Sequence, residues 1–344
     1  MRTTFFQSSL LLAIAAAIPL VPLAGPATTH DGQEAAQVSY IGEYPNDHEA
    51  GYTDNLQGVA HDAGNWFFTG QRYAFILRIS INVSLNSDID PSDPDTWRST
   101  TQGRLMPKQL RDAGYEDFKD LDQVNGFLFI PVAGTDRSTG KKKAGIAVFK
   151  ASDLAYLGVH ELVGWSHSSA AFFNKQDGFL YVSRSAVSAA APLSRFRLDF
   201  SMLASGNIAS AFSEASDRYL LEKDGLPIQK PFRNIQGATF SPNGELYLVN
   251  GLEDPPSADR GGIHKFNTSG RLVQDSKNGT GDFNFRYDPS EFPIGEEPEG
   301  ADWWDLDALP FYPNRGQLHV ILLDNDVFTP DNIFFKHYKV SALQ

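Results

Sequence analysis

The amino-acid sequence predicts an all-β fold, a β-propeller of five four-stranded blades with a possible count of six. Three observations predict it. A short motif recurs five times at intervals of roughly 60 residues, somewhat longer than the usual propeller repeat. Each copy leads into short runs of β-branched and aromatic residues between Gly, Asn and Asp turns. Aromatic residues make up 12% of the 344-residue chain, with Phe outnumbering Tyr and Trp, a composition that suits stacked sheets rather than a disordered chain.

The recurring motif is a polar residue, often followed by Gly, then small apolar residues, a turn and a strand. It reads Leu56-Gln-Gly-Val-Ala-His61-Asp62 before Asn65–Phe68, Phe118-Lys-Asp-Leu-Asp122 before Gly126–Phe129, and Ser166-His-Ser-Ser-Ala-Ala171 before Gly178–Tyr181. The last two copies are Ile235-Gln-Gly-Ala-Thr239 before Gly244–Tyr247 and Pro298-Glu-Gly-Ala-Asp302 before Gly316–His319. Around the fourth copy the strands read Gly237–Phe240, Glu245–Val249, Gly262–Phe266 and Arg271–Gln274, with Pro242-Asn-Gly244 as the first turn. Four antiparallel strands per unit make a propeller blade, which protects its sheet edges by circular repetition.

Ahead of the repeats, residues 1–27 read as a signal peptide: Arg2, an apolar stretch Leu10–Ala17, then Pro19, Pro22 and small residues up to a cleavage point near Ala24 or Ala27. The chain is therefore expected to be secreted, with residues 28–344 as a single propeller domain. No later run approaches the length needed to cross a bilayer, so no membrane association is expected after cleavage. Gln37–Tyr44 has strand composition and precedes the first repeat, whereas the last repeat runs out after Asn332–Val340. The early segment is expected to supply the missing fourth strand and close the ring. Met106–Gly114 reads as a short helix between the first two blades, with Pro107 in its first turn and Gly114 past its end. The Ser/Ala-rich stretch Ser201–Ser216 hides the fourth strand of blade three and leaves room for a degenerate sixth blade.

A net charge of −13 disfavours nucleic acid and anionic membranes as partners; a glycan or small molecule is the expected ligand. The chain has no cysteine, so an exported fold must be held by packing and strand pairing alone. Asn82, Asn267 and Asn278 head glycosylation sequons. The sequence sets no oligomeric state.

Inner strands of successive blades line a common channel, so equivalent residues of the five repeats meet there. The position before the repeated Gly is Gln57, Gln236 and Glu299, with Lys119 or Asp120 and Ser168 or Ser169 as counterparts. Such a ring either fills a narrow channel with hydrogen bonds or offers ligands. Asp120, Asp122 and Glu299 carry the oxygen donors that a hard cation such as Ca²⁺ takes. His61 and His167 flank the inner segments and are candidates for proton transfer, whereas His160, His264, His319 and His337 alternate with apolar residues as structural histidines do. Asp62 follows His61, but neighbours on a strand face opposite sides. Arg233 is placed to grip a carboxylate, and Trp66, Trp165, Trp303 and Trp304 to pack between blades or stack on a sugar ring.

Other motifs fail. Gly134–Lys141 has five residues between its glycines instead of the four of a phosphate loop, Gly164–Ser168 lacks the final Gly of a nucleophile elbow, and Asp88–Asp95 misses the EF-hand Gly and Glu. No dinucleotide fingerprint is present, so neither a nucleotide nor an organic cofactor is expected.

At Pro298-Glu-Gly-Ala-Asp302 and Ile235-Gln-Gly-Ala-Thr-Phe-Ser-Pro-Asn-Gly-Glu-Leu-Tyr247 the chain resembles the broad group of secreted gluconolactonase-like and NHL-type propellers. That resemblance is architectural and implies a metal-binding role for Glu299. Together these readings point to a carbohydrate-active enzyme that cleaves a glycan at the channel mouth by hydrolysis or elimination. In this reading His61 or His167 moves protons and Glu299 and Asp302 are the carboxylates. Arg233 anchors a uronate, and Gln57, Gln236, Trp66 and Trp303 contact the ligand. The alternatives are a lectin-like or scaffold propeller without chemistry, and a lactonase- or cyclase-like enzyme acting on a small metabolite beside Trp303 and Trp304.

Overall fold

The computed structural model describes residues 37–46, 48, 51–71, 73–91, 93, 101–251, 262–275, 296–309, 315–324 and 332–341. The expected signal peptide and Asn278 lie outside them. Strands form five main antiparallel sheets, the blades of a five-bladed β-propeller. Blade one is Leu56–His61, Asn65–Gly70, Phe75–Ser80 and Thr101–Leu105. In blade two the inner line is broken into Tyr115–Phe118 and Asp122–Val124, both paired with Phe127–Thr135, and Lys142–Lys150 and Tyr156–Glu161 follow. Blade three is Ala171–Asn174, Phe179–Val182, Ser194–Leu198 and Phe212–Glu214. Blade four is Ile235–Phe240, Leu246–Asn250, Gly262–Phe266 and Leu272–Asp275.

Blade five contains Glu296–Trp303, Leu318–Asp324 and Asn332–Ser341, with Gln37–Glu43 on its outer edge. This N-terminal strand pairs antiparallel from Gln37 opposite Ser341 to Glu43 opposite Lys336. Val38 is fully buried, Tyr40 meets the ring of Tyr338 edge-on at 5.7 Å, and Lys336 Nζ lies 2.9 Å from Glu43 Oε2.

No sixth sheet of blade size stands between blades three and four among the described residues. That stretch holds two-stranded ladders, Ala186–Val187 with Phe232–Arg233 and Glu222–Lys223 with Leu226–Pro227. The missing strand of blade three is Phe212–Glu214, which the sequence conceals because two short helices, Phe200–Ala204 and Ile208–Ala211, precede it. Asp199 caps the first of them by accepting hydrogen bonds from the Ser201 and Met202 amides.

Apolar cores fill the spaces between blades, which is where a propeller stores its hydrophobic stabilisation. One joins blade one to blade two through Phe67, Ile76, Leu128 and Phe149. Another joins blade five to blade one through Trp66, Phe68, Ile321 and Phe335.

The repeated glycines have a packing origin. A Cβ on Gly300 would sit 2.5 Å from Gly58 Cα, one on Gly58 2.5 Å from Asp120 Cα, and one on Gly237 2.6 Å from the Glu299 carbonyl oxygen. Inner strands thus meet backbone to backbone at the axis, where no side chain fits. The residues before those glycines sit in β-bulges: pairing registers shift between Leu56 and Gly58, Ile235 and Gly237, and Pro298 and Ala301. A bulge re-aims the side chain it contains, and Gln57, Gln236 and Glu299 meet as a result.

Candidate active site at one channel mouth

Asp120 ties the inner segments together at the axis. Asp120 is fully buried, and its carboxylate accepts the Val59 amide at 3.2 Å and the Ala238 amide at 3.0 Å, joining blades one and four. Its backbone pairs with Ser169 and Ala171 of the blade-three segment. The two mouths are therefore separate places.

On one side of Asp120 lies the polar ring. Lys119 Nζ donates to Gln57 Oε1 at 2.7 Å, Gln57 Nε2 donates to Glu299 Oε1 at 3.1 Å, and Gln236 Nε2 donates to both Glu299 Oε1 (3.1 Å) and Glu297 Oε1 (2.6 Å). Burial, then the charge of Glu297, pushes the Glu299 carboxyl well above its ordinary range. Gln57 and Gln236 spend their amides on Glu299 Oε1, Glu299 Oε2 is buried without a hydrogen-bond partner among the described residues, and none of the three lines either cavity. Beyond them, a mouth cavity of about 700 Å³ is lined by residues that include Asn55, Glu116, Asp117, Lys142, Ser166 and His167.

At the opposite ends of the inner strands a second cavity of about 380 Å³ opens. Its lining includes His61 from blade one, Asp122 from blade two, Phe173 from blade three, Thr239 from blade four, and Asp302 and Trp303 from blade five. Every blade delivers the last residues of its inner line here. His61 Nδ1 lies 2.6 Å from Asp302 Oδ2, so a carboxylate at Asp302 accepts the Nδ1 proton and leaves Nε2 with a lone pair. Trp304 stacks on the His61 ring at 4.6 Å and 12°, and the fully buried Trp66 meets Trp304 edge-on at 4.6 Å.

Asp122 is half-buried as a residue, with its carboxyl held among protein groups. Its Oδ2 accepts the Phe173 amide and its Oδ1 the Gln123 amide, each at 2.6 Å. Burial, followed by the charge of Asp302, pushes its pKa up to about 7. Two carboxyls in one cavity thus differ in environment, one facing an imidazole and the other poised to hold a proton near neutrality. Such a difference is what acid–base chemistry requires of two neighbouring carboxyls.

The raised acid has a consequence for stability. Between the ordinary carboxylate range and about pH 7 the folded state holds a proton on Asp122 that the unfolded state has released. Folding is therefore penalised as pH rises through that window, by about 1.4 kcal/mol for each tenfold fall in proton concentration. Burial displaces Asp120 and Glu299 in the same direction. His48, His160, His167, His319 and His337, whose pKa values are lowered by burial, give the opposite slope below about pH 6.5, so the contribution of Asp122 is read as a difference between proteins. Between about pH 5 and pH 7.5 the thermal midpoint of the wild type is expected to fall relative to that of Asp122→Asn, and a difference that stays constant over this range would refute the assignment.

The structure separates the residues that the sequence suggests for the site. His61, Asp302 and Trp303 share one mouth; His167 lines the other. There, burial and then the charge of Lys119 lower the His167 pKa. Asp62 is not the partner of His61: its Oδ1 accepts from the Gly64 and Asn65 amides in a tight turn. Arg233 is exposed on the ladder before the blade-four inner strand and lines neither cavity. Trp66 is core, and Trp165 lies under the Arg184 guanidinium at 3.9 Å.

Asp120, Asp122 and Glu299 do not fit a Ca²⁺ site as a set. Asp120 and Asp122 spend oxygens on backbone amides, Glu299 Oε1 on two glutamine amides, and no group of three or more acidic or imidazole side chains among the described residues is arranged to hold a metal. Asn82 is exposed, whereas the Asn267 amide oxygen accepts hydrogen bonds from Ser269 and Arg271 within its own turn.

The raised pKa of Asp122 was the residue-level signal that the sequence hid. Asp122, Thr239 and Asp302 each follow the polar position of their repeat by three residues, a register that becomes meaningful once the bulges are known.

No protein-family model matches the chain, and no curated protein matches it. Among solved structures it is similar to Myxococcus xanthus glutaminyl cyclase, with 10% identity over 89% of this chain and 98% of that chain and a TM-score of 0.47. It is also similar to the GH43_1 enzyme from Xanthomonas citri, with 11% identity over 86% and 90% of the two chains and a TM-score of 0.46. The RS223 β-xylosidase gives 10% identity over 82% and 91%, with a TM-score of 0.46. None assigns the chain to a family.

Proposed function

We propose that the chain is a hydrolase that cleaves a neutral sugar derivative at the mouth bearing His61, Asp122 and Asp302. The observation that carries this reading is the division of labour between the His61–Asp302 pair and a carboxyl whose pKa is raised to about 7. Asp122 gives its proton to the leaving-group oxygen as the bond to the sugar carbon breaks. His61 Nε2 takes a proton from the water whose oxygen attacks that carbon, and Asp302 stabilises the imidazolium that forms. Trp303 lines the cavity and offers an indole face to a sugar ring.

Hydrolysis is preferred to elimination. The mouth lining contains three carboxyl groups, Asp62, Asp122 and Asp302, against Lys175 and His61, and Arg233 is elsewhere, so a uronate lacks its clamp. The cavity volume of about 380 Å³ suits one or two sugar units. The same volume and the apolar walls of Phe173, Phe240, Trp303 and Trp304 favour a second reading, hydrolysis of a small lactone by the same groups. The leader-like N-terminus supports action outside the cell.

The test is a panel of 4-nitrophenyl glycosides and aldonolactones assayed against pH. Turnover is expected to fall as pH rises through about 7, where Asp122 loses its proton. Asp122→Asn is expected to lower kcat by about a hundredfold or more. Turnover that stays constant from pH 6 to about 9, or an unimpaired Asp122→Asn, would overturn the assignment of the acid.

A further inference from the structure

Two histidines that alternate with apolar residues in blade five are not inert filler. His319 and His337 are fully buried, sit opposite one another on adjacent strands, and bring their Nδ1 atoms to 2.6 Å. His319 Nε2 lies 2.7 Å from the Trp304 carbonyl oxygen, and His337 Nε2 lies 3.2 Å from the Tyr44 carbonyl oxygen. A carbonyl only accepts, so each of these contacts, and the one between the rings, needs a proton on nitrogen.

Three contacts would need three protons, and two neutral imidazoles carry two. Burial lowers both pKa values, His319 to about 3, which keeps the pair neutral. One contact therefore has no proton in it. The Tyr44 contact is the longest of the three by 0.5 Å, as expected where two lone pairs face each other.

We propose that His337 and His319 form a directed hydrogen-bond chain that positions the Trp304 shelf beneath His61. His337 is the Nδ1–H tautomer and donates to His319 Nδ1; His319 is the Nε2–H tautomer and donates to the Trp304 carbonyl. The chain has a clear route to the site. Trp304 stacks on His61, Trp66 meets His319 edge-on at 5.3 Å and Trp304 at 4.6 Å, and Asp302, the partner of His61, is the cross-strand neighbour of His319. Phe335 packs beside both rings, at 6.1 Å from His319 and 4.9 Å from His337. The ionisable groups that bear on the pair are His61, whose charge acts on His319, and Asp302, its cross-strand neighbour. His319 and His337 are positioning residues, and the benefit to chemistry rests on the reading of His61 as the base.

Nitrogen-15 spectra of histidine-labelled protein at neutral pH test the wiring without any substrate. The expected pattern is a protonated Nε2 on His319 and a protonated Nδ1 on His337. Protonated Nε2 on both rings would overturn the proposal. In His337→Phe, which removes the donor, the His61 ring signals are expected to shift while those of His160, stacked on Phe212 in another interblade core, stay in place. His337→Asn, whose amide N–H stands near the Nδ1 position, is expected to restore the His61 signals. An unchanged His61 spectrum in a folded His337→Phe protein, or no rescue by Asn, would remove the positioning role. If His61→Ala left turnover intact while the tautomer pattern held, the proposed function would fail and the chain of hydrogen bonds would stand.

Discussion

Replacing Gly300 with Ala is expected to destabilise the protein by about 3 kcal/mol or more, at the upper end of overpacking effects. The added Cβ would lie 2.5 Å from Gly58 Cα, 2.6 Å from Asp120 Oδ1 and 2.7 Å from the Val59 amide nitrogen. Two of these three atoms are backbone. The third belongs to a carboxylate held by amides from blades one and four, so none can swing away. Relief would require the inner strands of blades five and one to part, which would also strain the contact between Gly237 and Gly300. Gly64→Ala is the control, because a Cβ there meets nothing within 4 Å. Urea unfolding of the two variants decides the matter; equal midpoints would show that the axis is not closely packed.

Deleting the N-terminal strand, Gln37–Glu43, is expected to cost several kcal/mol and lower the thermal midpoint by about 10 °C or more. The strand contributes six registered pairs to blade five, each ladder hydrogen bond worth about 1 kcal/mol net. It also buries Val38, worth about 2 kcal/mol, and supplies Glu43 to the nearly inaccessible Lys336. No disulfide is available to compensate, because the chain has no cysteine. Trimming an ordinary terminus costs little. A midpoint unchanged by the deletion would show that blade five stands without its outer strand.

The fold was legible because its signals are local and repeated. Gln57-Gly58, Gln236-Gly237 and Glu299-Gly300 recur for a steric reason, the approach of inner strands at the axis, and the flanking aromatic runs give the strands. Blade three resisted because its third and fourth strands are separated by two helices, for which the Ser/Ala-rich composition gave only weak periodicity.

The site was legible only in part. His61 and Asp302 could be named, but not paired, since they are joined across 241 positions by the meeting of the first and last blades. His61 and His167 could not be assigned to different mouths, because that depends on which end of an inner segment each residue occupies. Asp122 could be named only as a candidate cation ligand, because its raised pKa depends on burial and on Asp302 across the cavity. His319 and His337 alternate with apolar residues as core histidines do, and only the meeting of their Nδ1 atoms distinguishes them.

The central claim is that chemistry belongs to the mouth of His61, Asp122 and Asp302 and not to the larger cavity beside His167. The most direct measurement compares kcat of His61→Ala, Asp302→Asn and His167→Ala on one substrate found in the glycoside and lactone panel. The first two variants are expected to lose about a hundredfold or more, with His167→Ala retaining wild-type turnover. Loss of turnover in His167→Ala, with His61→Ala and Asp302→Asn fully active, would place the active site at the opposite mouth and contradict the account.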